Sequence, residues 1–266
     1  MYTALQSTKP VVWMKDMLKR DAQGPVAAFL SSLLILSLCA AAIAPFQAQA
    51  DDVAYPTMAP VAQYMMDKDA EIALARSAAP KPISDDATIL VLGKDGYETA
   101  VKGNNGFTCL VGRSWMNDFD AVDFWDPRDL TPNCWNEAAV KSELGEFLQR
   151  TQWVLAGVSK EEMAARTKAA WASHEYTLPA PGTVAYMMSK QQCIHAPAPC
   201  NWYPHVMFFE ATADAQKWGD NIKGVPVVSG VSKTDPITTF MVLVPKWSDG
   251  TPSPYATVTV AAEHKH

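Results

Sequence analysis

The stretch Gln192–Glu210, QCIHAPAPCNWYPHVMFFE, joins a proline-rich loop between two cysteines to a dense apolar run. Val206–Phe209 is apolar at every position, whereas a strand with one face in water alternates apolar and polar residues. We therefore predict a strand over 205–211 that lies in the interior of a sheet with both faces covered. Binding groups often sit where such a rigid strand meets a loop, so the residues just before it are the first candidates for function.

Further runs of β-type residues lie on both sides of this strand in the sequence. They are 88–92, 97–102, 107–113, 183–189, 225–229 and 238–244. Asp95-Gly96 predicts a type I′ hairpin between the first two runs, because both central residues of that turn need positive φ. The segment 103–106, Gly-Asn-Asn-Gly, turns the chain again. The first three runs therefore predict an antiparallel meander.

Each of three expected helices follows a residue whose side-chain oxygen can cap it. The segments are about 60–79 after Thr57, about 137–156 after Asn136 and about 160–174 after Ser159. This order of elements indicates an α+β domain with a mostly antiparallel sheet of about six strands and helices packed on it. We expect one such domain over 51–266, with a weakly ordered tail from about 251.

Residues 1–50 contain the three parts of a secretory signal peptide in their usual order. A basic lead precedes the apolar run Val26–Ile43, and Ala48-Gln49-Ala50 supplies small residues at the cleavage position. The alternative is a retained membrane anchor, since the apolar run approaches the length that spans a bilayer. Cleavage after Ala50 predicts a periplasmic or secreted protein with no membrane association in its mature form.

The charge of the chain argues against two classes of partner. The formal net charge is −6 at pH 7, and residues 1–50 carry more basic than acidic side chains, so cleavage makes the protein more acidic. Nucleic acids and anionic lipids are bound through clusters of Lys and Arg, and the sequence has no such cluster. A small-molecule ligand fits the composition better, and the sequence indicates no particular protein partner.

Four cysteines follow the signal segment: Cys109, Cys134, Cys193 and Cys200. An even number of cysteines in an exported chain is typical of disulfides, and short loops favour Cys109 with Cys134 and Cys193 with Cys200. A metal or redox site is the alternative for the second pair together with two histidines, His195 and His205. Its spacing is not that of the tight pairs in zinc sites, so we expect neither metal nor cofactor.

The segment 115–135 interleaves aromatic residues with five aspartates. These are Asp118, Asp120, Asp123, Asp126 and Asp129. Clustered carboxylates are typical of calcium loops, yet the glycine and closing glutamate of an EF-hand are missing. We interpret the segment as a solvated loop whose aromatic side chains anchor it to the core.

No motif for a nucleophile, a zinc protease or a nucleotide phosphate occurs in the sequence. The first hypothesis is a non-catalytic small-ligand-binding or sensory module with His205, Trp202, Tyr203 and His195 at its binding surface. The second is a hydrolytic enzyme with His205 or His195 as general base and a carboxylate of the acidic loop as partner. Against both stands a core histidine at position 205 that is satisfied by a backbone carbonyl.

Two resemblances bear on these hypotheses. The strings 202–209, WYPHVMFF, 238–242, TTFMV, and 247–250, WSDG, resemble those of a family of secreted bacterial proteins without an assigned activity. That resemblance implies export and a shared fold, and it implies no site residue. The order of elements is also similar to that of profilin-like sensor domains found outside bacterial membranes, which is an analogy of fold alone.

Overall fold

The computed structural model describes residues 55–194, 202–220 and 222–254. The chain divides into two units, Met1–Asp51 and Asp52–His266, and every described residue belongs to the second. The predicted signal segment lies outside the described residues, so its cleavage stays a prediction. In the part of the chain that the structure describes, no helix has the length and apolar character needed to cross a membrane.

Eight strands form one mixed sheet in the order β2-β1-β3-β4-β5-β6-β8-β7. Their bounds are β1 Thr88–Gly93, β2 Gly96–Val101, β3 Thr108–Arg113, β4 Leu130–Trp135, β5 Val184–Met187, β6 His205–Ala211, β7 Val227–Val231 and β8 Ile237–Leu243. All neighbouring pairs are antiparallel except β1 with β3. The predicted α+β class is confirmed, and the sheet is larger than the expected six strands.

The predicted meander of the first three strands is wrong at its last step. β3 does not follow β2 in the sheet; it lies on the other side of β1 and runs parallel to it. The connection passes so close to the start of β1 that a Cβ on Gly103 would lie 2.3 Å from the carbonyl carbon of Ala87. The turn residues predicted a reversal, but only packing against β1 decides which edge receives the next strand.

β4 lies inside the segment that the sequence indicated to be irregular. It contains Pro132, which pairs with Val111 of β3. β5 pairs only with Cys134 and Trp135 of β4, so no β5 residue lies opposite Pro132, which cannot donate to a β-ladder. The strand predicted over 205–211 is confirmed as the interior strand β6, although Val206–Phe208 is only half-buried.

Besides short 3-10 turns, the described part of the chain contains four helices that accompany the sheet. They are α1 Lys68–Arg76, α2 Lys81–Ser84, α3, which runs continuously through Glu137–Ala139, Val140–Leu144 and Gly145–Leu155, and α4 Lys160–Ala172. The predicted helix over 60–79 is corrected: α1 begins only after Asp67, whose side chain accepts bonds from the first amide groups. The N-caps predicted at Asn136 and Ser159 are confirmed, with bonds of 3.0 and 3.2 Å from backbone N–H groups.

One of the two predicted disulfides lies within the described residues. Cys109 and Cys134 face each other across β3 and β4, and they are bonded as predicted. Cys193 is also disulfide-bonded, while Cys200, its predicted partner, lies outside the described residues, so that pairing stays a prediction.

The start of the predicted tail is tied to the domain. The backbone N–H of Ser253 donates to the carbonyl of Pro245 over 2.9 Å, and that of Trp247 donates to Thr251 over the same distance. The chain is therefore hydrogen-bonded to the domain as far as Ser253, and residues 255–266 lie outside the described part of the chain.

Candidate functional site

The structure brings three of the four predicted binding residues together. Trp202 and Tyr203 are half-buried, and the ring centroids of Trp202 and His205 are 6.3 Å apart. Gln192 supports the segment by donating to the carbonyl of Trp202 over 2.8 Å. The fourth predicted residue, His195, lies outside the described residues. Trp202, Tyr203 and His205 line neither of the two cavities considered below.

His205 itself is enclosed by protein. Its side chain is 1% exposed, and Nδ1 lies 2.8 Å from the carbonyl oxygen of Tyr203. Burial lowers the pKa of His205 to about 4, so the ring is neutral at neutral pH. This is the arrangement of the core histidine that the sequence analysis set against a binding role, and a ligand at this position stays a prediction.

The acidic segment after β3 is held by ion pairs and hydrogen bonds within it and to Lys233. Asp126 forms an ion pair with Arg128 over 2.6 Å, Asp129 accepts a hydrogen bond from Asn117, and Asp120 pairs with Lys233. Several of its aspartates are buried, so the segment is less solvated than predicted. No group of three or more His, Cys, Asp or Glu side chains among residues 55–194, 202–220 and 222–254 could hold a metal ion.

A cavity of about 180 Å³ lies between α3 and the last strands of the sheet, and we call it the acidic cleft. Its floor is a row of residues in register across three strands, Phe209 of β6, Thr239 of β8 and Gly230 of β7. A Cβ at Gly230 would meet only the tip of Met241, at 4.0 Å. The missing side chain at position 230 therefore leaves room on the floor, in a strand conformation that other residues can adopt.

The wall of the acidic cleft comes from α3, which contributes Glu143, Glu146, Phe147 and Arg150. Residues spaced three and four apart lie on one face of a helix. Glu143 belongs to the π-helical turn Val140–Leu144, which the sequence analysis did not predict. Such turns widen a helix by one residue and are frequent at functional sites.

The guanidinium of Arg150 makes several contacts at the opening of the cleft. It donates to Glu146 over 2.5 Å and to the carbonyl of Asn117 over 3.0 Å, and it lies 4.2 Å from the centre of the Phe119 ring. These contacts tie the segment after β3 to α3. They place Asp118, which also lines the cleft, at its edge.

Several buried polar atoms at the cleft have no hydrogen-bond partner among the described residues. They are Glu143 Oε1, Asp235 Oδ1, Arg150 Nε and, beside the cleft, Tyr176 Oη. Native proteins leave few such atoms unpaired, and each one calls for an explanation. By contrast, both oxygens of Glu146 are bonded, one to Arg150 and the other to Trp171 Nε1 over 3.0 Å.

The carboxyl groups of the cleft influence one another. The pKa of Glu143 is raised to about 7, mainly by burial; a hydrogen bond from Ser142 opposes this rise, and the nearby charges of Glu146 and Asp235 add to it. Burial also raises the pKa of Glu146, against the opposing charge of Arg150. The pKa of Asp118 is raised by loss of solvent and by neighbouring aspartates. Glu143 is therefore the group poised to change charge near neutral pH.

A second cavity of about 250 Å³ adjoins the acidic cleft and shares Asp118 with it. Lysines of α4 and the loop before β8 line it, namely Lys160, Lys168 and Lys233. We call it the outer cavity. It is more open to solvent than the acidic cleft, which makes the acidic cleft the better enclosed of the two sites.

Comparison with known proteins supplies no name for this site. No protein-family model matches the chain, and no match was found among curated proteins or solved structures. The functional argument therefore rests on the residues of the site themselves.

The sequence analysis missed the acidic cleft because its residues are far apart in the chain. One local signal was present: Glu143, Glu146 and Arg150 recur at helical spacing beside the apolar stripe of α3. Charged residues next to a buried stripe indicate either a buried ion pair or a site. The contributions of Gly230 and Asp235 had no comparable signal.

Proposed function

We propose that this protein is an exported small-ligand-binding module without catalytic activity of its own, and that its ligand occupies the acidic cleft. The observation that carries this proposal is the pair of unpaired buried oxygens, Glu143 Oε1 and Asp235 Oδ1, at a cavity left open by Gly230. A buried acceptor without a partner costs free energy in the empty protein, and a ligand donor would recover it. The proposal moves the expected site away from His205.

The composition of the cleft supports a small ligand. Met116, Phe147 and Phe209 supply apolar surface, while a few polar groups converge from α3 and the loop before β8. Small-molecule sites typically combine an apolar lining with a small number of placed polar groups. The cleft is too small for a folded partner and suits a compound of modest size.

Export is part of the same proposal. It is supported by the basic lead, apolar run and small-residue site of residues 1–50, and by the disulfide between Cys109 and Cys134, which is typical of oxidising compartments. The profilin-like sensor analogy belongs here too. Its support is a mostly antiparallel sheet with a long helix beside a cavity, and it concerns architecture alone.

A hydrolytic enzyme is the second candidate, and the pKa of Glu143 favours it specifically. A carboxylic acid that keeps its proton near pH 7 can act as general acid, and Asp235 supplies a second carboxyl group at the same cavity. The histidine version of this hypothesis has weaker support, because His205 is enclosed and lines neither cavity. In an enzyme of this type, Glu143→Gln would keep substrate binding and lose turnover of chromogenic ester and glycoside substrates.

Filling the floor of the cleft tests the proposed function. We expect Gly230→Leu to fold, since an added Cβ there contacts only the flexible tip of Met241, and to occupy the volume that a ligand needs. The matched control is Gly145→Leu, at an exposed position of α3 with nothing within 4 Å of an added Cβ. Both variants and the wild type are screened by thermal unfolding against small amines, alcohols, sugars and carboxylates.

At least one compound should raise the Tm of the wild type and the control but leave Gly230→Leu unchanged. At a hundredfold excess over Kd, binding adds about 2.7 kcal/mol to the free energy of unfolding, which raises the Tm by about 5–11 °C. Equal shifts for wild type and Gly230→Leu would place binding elsewhere. A panel without any shift would remove the support for a binding module.

A further inference from the structure

The charge of the acidic cleft restricts its ligand. Four acidic side chains line it against one basic side chain, Arg150, whose guanidinium is already bonded to Glu146. Asp118, Glu143 and Asp235 have no basic partner within this lining. A further cation, Lys233, pairs with Asp120 at the outer cavity. An anion would therefore meet net repulsion in the cleft, and a cation would meet attraction.

The unpaired atoms restrict the ligand further, independently of the charge. Glu143 is 7% exposed, so it is more than nine-tenths buried, and its Oε1 lacks a partner among the described residues. Asp235 Oδ1 is also buried and without a partner among the described residues, although the Asp235 side chain as a whole is half-buried. Ionised carboxylate oxygens only accept hydrogen bonds, so their partner must be a donor. A primary ammonium group carries both the charge and three N–H donors.

The remaining lining favours an apolar body on that cation. Phe147 and Phe209 contribute aromatic surface, and Ile237 contributes aliphatic surface. Aromatic rings attract cations as well as apolar groups. A hard metal ion would instead need several oxygen ligands around one point, and no described group of acidic side chains has that arrangement.

We propose that the ligand of the acidic cleft is a small primary ammonium ion with a short apolar body, whose nitrogen binds Glu143 and Asp235 and whose binding releases the Glu143 proton. This inference rests on the proposed function and names its ligand class. The exchange is balanced: the neutral carboxylic acid loses its proton to solvent, and the resulting carboxylate pairs with the incoming ammonium.

Proton release follows from the groups that face Glu143. Glu146 and Arg150 face it from α3, Asp235 from the loop before β8, and Asp118 from the segment after β3. With a pKa of about 7, Glu143 is half-protonated near neutral pH in the empty cleft. An ammonium ion at hydrogen-bond distance favours the ionised form and lowers that pKa. Binding should therefore tighten as the pH rises.

Three compounds that share the same branched apolar body test the ligand class. They are 3-methylbutylammonium, 3-methylbutanol and 3-methylbutanoate, which differ only in a cationic, neutral or anionic head group. Isothermal calorimetry should show the ammonium binding at least tenfold more tightly than the alcohol, with no binding of the carboxylate. In two buffers of different ionisation enthalpy, about half a proton should be released near pH 7. Affinity should be about 30-fold higher at pH 8 than at pH 5.5.

Two variants and one control assign the effect to the cleft. Glu143→Gln should lose proton release and at least tenfold in affinity, and Asp235→Asn should lose affinity while keeping proton release. The control is Glu137→Gln, an exposed position at the start of the same helix, which should behave as the wild type. Thermal unfolding of each variant confirms that it is folded before titration.

The outcomes separate this inference from the proposed function. Tighter binding of the alcohol or the carboxylate, with Gly230→Leu blocking it, would overturn the ammonium class and keep the binding module. Ammonium binding that Glu143→Gln and Asp235→Asn leave unchanged would overturn the assigned residues. Saturable binding of Ca²⁺ alone that excludes the ammonium would replace it with a metal site. Failure of all three compounds would overturn the inference, and the wider panel would then decide the proposed function.

Discussion

The His205 region and the acidic cleft contain groups that are buried to a similar extent, yet they differ in how those groups are satisfied. His205 is 1% exposed and has a carbonyl oxygen 2.8 Å from its ring nitrogen. Glu143 is 7% exposed and has a carboxylate oxygen without a partner among the described residues. Burial alone therefore does not identify a site. An unpaired polar atom beside a cavity does identify a candidate site, because its burial lowers the free energy of unfolding and no hydrogen bond among the described residues offsets that loss.

The two groups should also respond to pH in opposite directions. Burial disfavours the charged form of each, so it raises the pKa of Glu143 and lowers that of His205. Folding therefore favours the protonated form of Glu143 and the neutral form of His205. The predictions below test this contrast, beginning with the ion pair that supports the cleft.

The largest effect is expected from Arg150→Met. Removing the guanidinium leaves Glu146 buried without its cation and releases the carbonyl of Asn117. Breaking a buried pair in this way should lower the free energy of unfolding by about 3–5 kcal/mol. The matched control is Arg166→Met, which removes an exposed pair of the same i,i+4 spacing with Glu162. It should cost less than about 1 kcal/mol in urea denaturation.

Comparable losses for the two arginine variants would show that the Arg150 pair is as solvated as a surface pair. The wall of the cleft would then be less rigid than the contacts of Arg150 indicate.

Glu143→Gln should change how stability depends on pH. The folded-state pKa of about 7 lies above the ordinary 4.5, so the wild type loses stability as the pH rises from about 4.5 through 7. The amide does not titrate and removes this loss. Between pH 4 and pH 8, the free energy of unfolding of the variant should rise by up to about 3 kcal/mol relative to that of the wild type. Urea denaturation at several pH values, with Glu137→Gln as control, measures the difference, and parallel curves would contradict the raised pKa.

His205→Ala should destabilise the fold without affecting the cleft. Truncation leaves the carbonyl of Tyr203 without its ring partner, at a cost of about 1–3 kcal/mol at pH 8. The cost should shrink as the pH falls from about 6.5 to 4, because the wild type itself loses stability there when the unfolded histidine gains a proton. His174→Asn serves as an exposed control that tolerates the positive φ of 58°.

Calorimetric binding of 3-methylbutylammonium to His205→Ala should match that of the wild type. Weakened binding with little loss of stability would indicate that His205, and not the acidic cleft, belongs to the binding site.

Local patterns predicted the elements of this fold better than their arrangement. Caps at Asn136 and Ser159 depend on a side chain and backbone groups within one turn, so the sequence contains all that is needed. The interleaved aspartates and aromatic residues of 115–135 indicated a loop, and β4 forms within it only because β3 and β5 provide strands to pair with. The position of β3 likewise depended on close packing at Gly103, which lies outside any local pattern.

The candidate site was less predictable than the fold. The sequence drew attention to His205 because histidine and aromatic residues cluster before an apolar strand, and clustering in sequence is visible without a structure. The acidic cleft combines residues from five separate segments, represented by Asp118, Glu143, Phe209, Gly230 and Asp235. No two of these segments are adjacent in sequence except the last two, so their convergence depends on the strand order and on the crossing of α3 over the sheet.

The sequence by itself determined the α+β class, the caps of two helices, the interior strand β6 and the pairing of Cys109 with Cys134. These follow from spacing, turn chemistry and chain entropy, which act over short distances along the chain. Only the tertiary structure decided which buried polar groups have partners. Glu143 and His205 look alike as polar residues beside apolar runs, and the difference between them arises from atoms supplied by distant segments, whose positions are set by packing rather than by local preference.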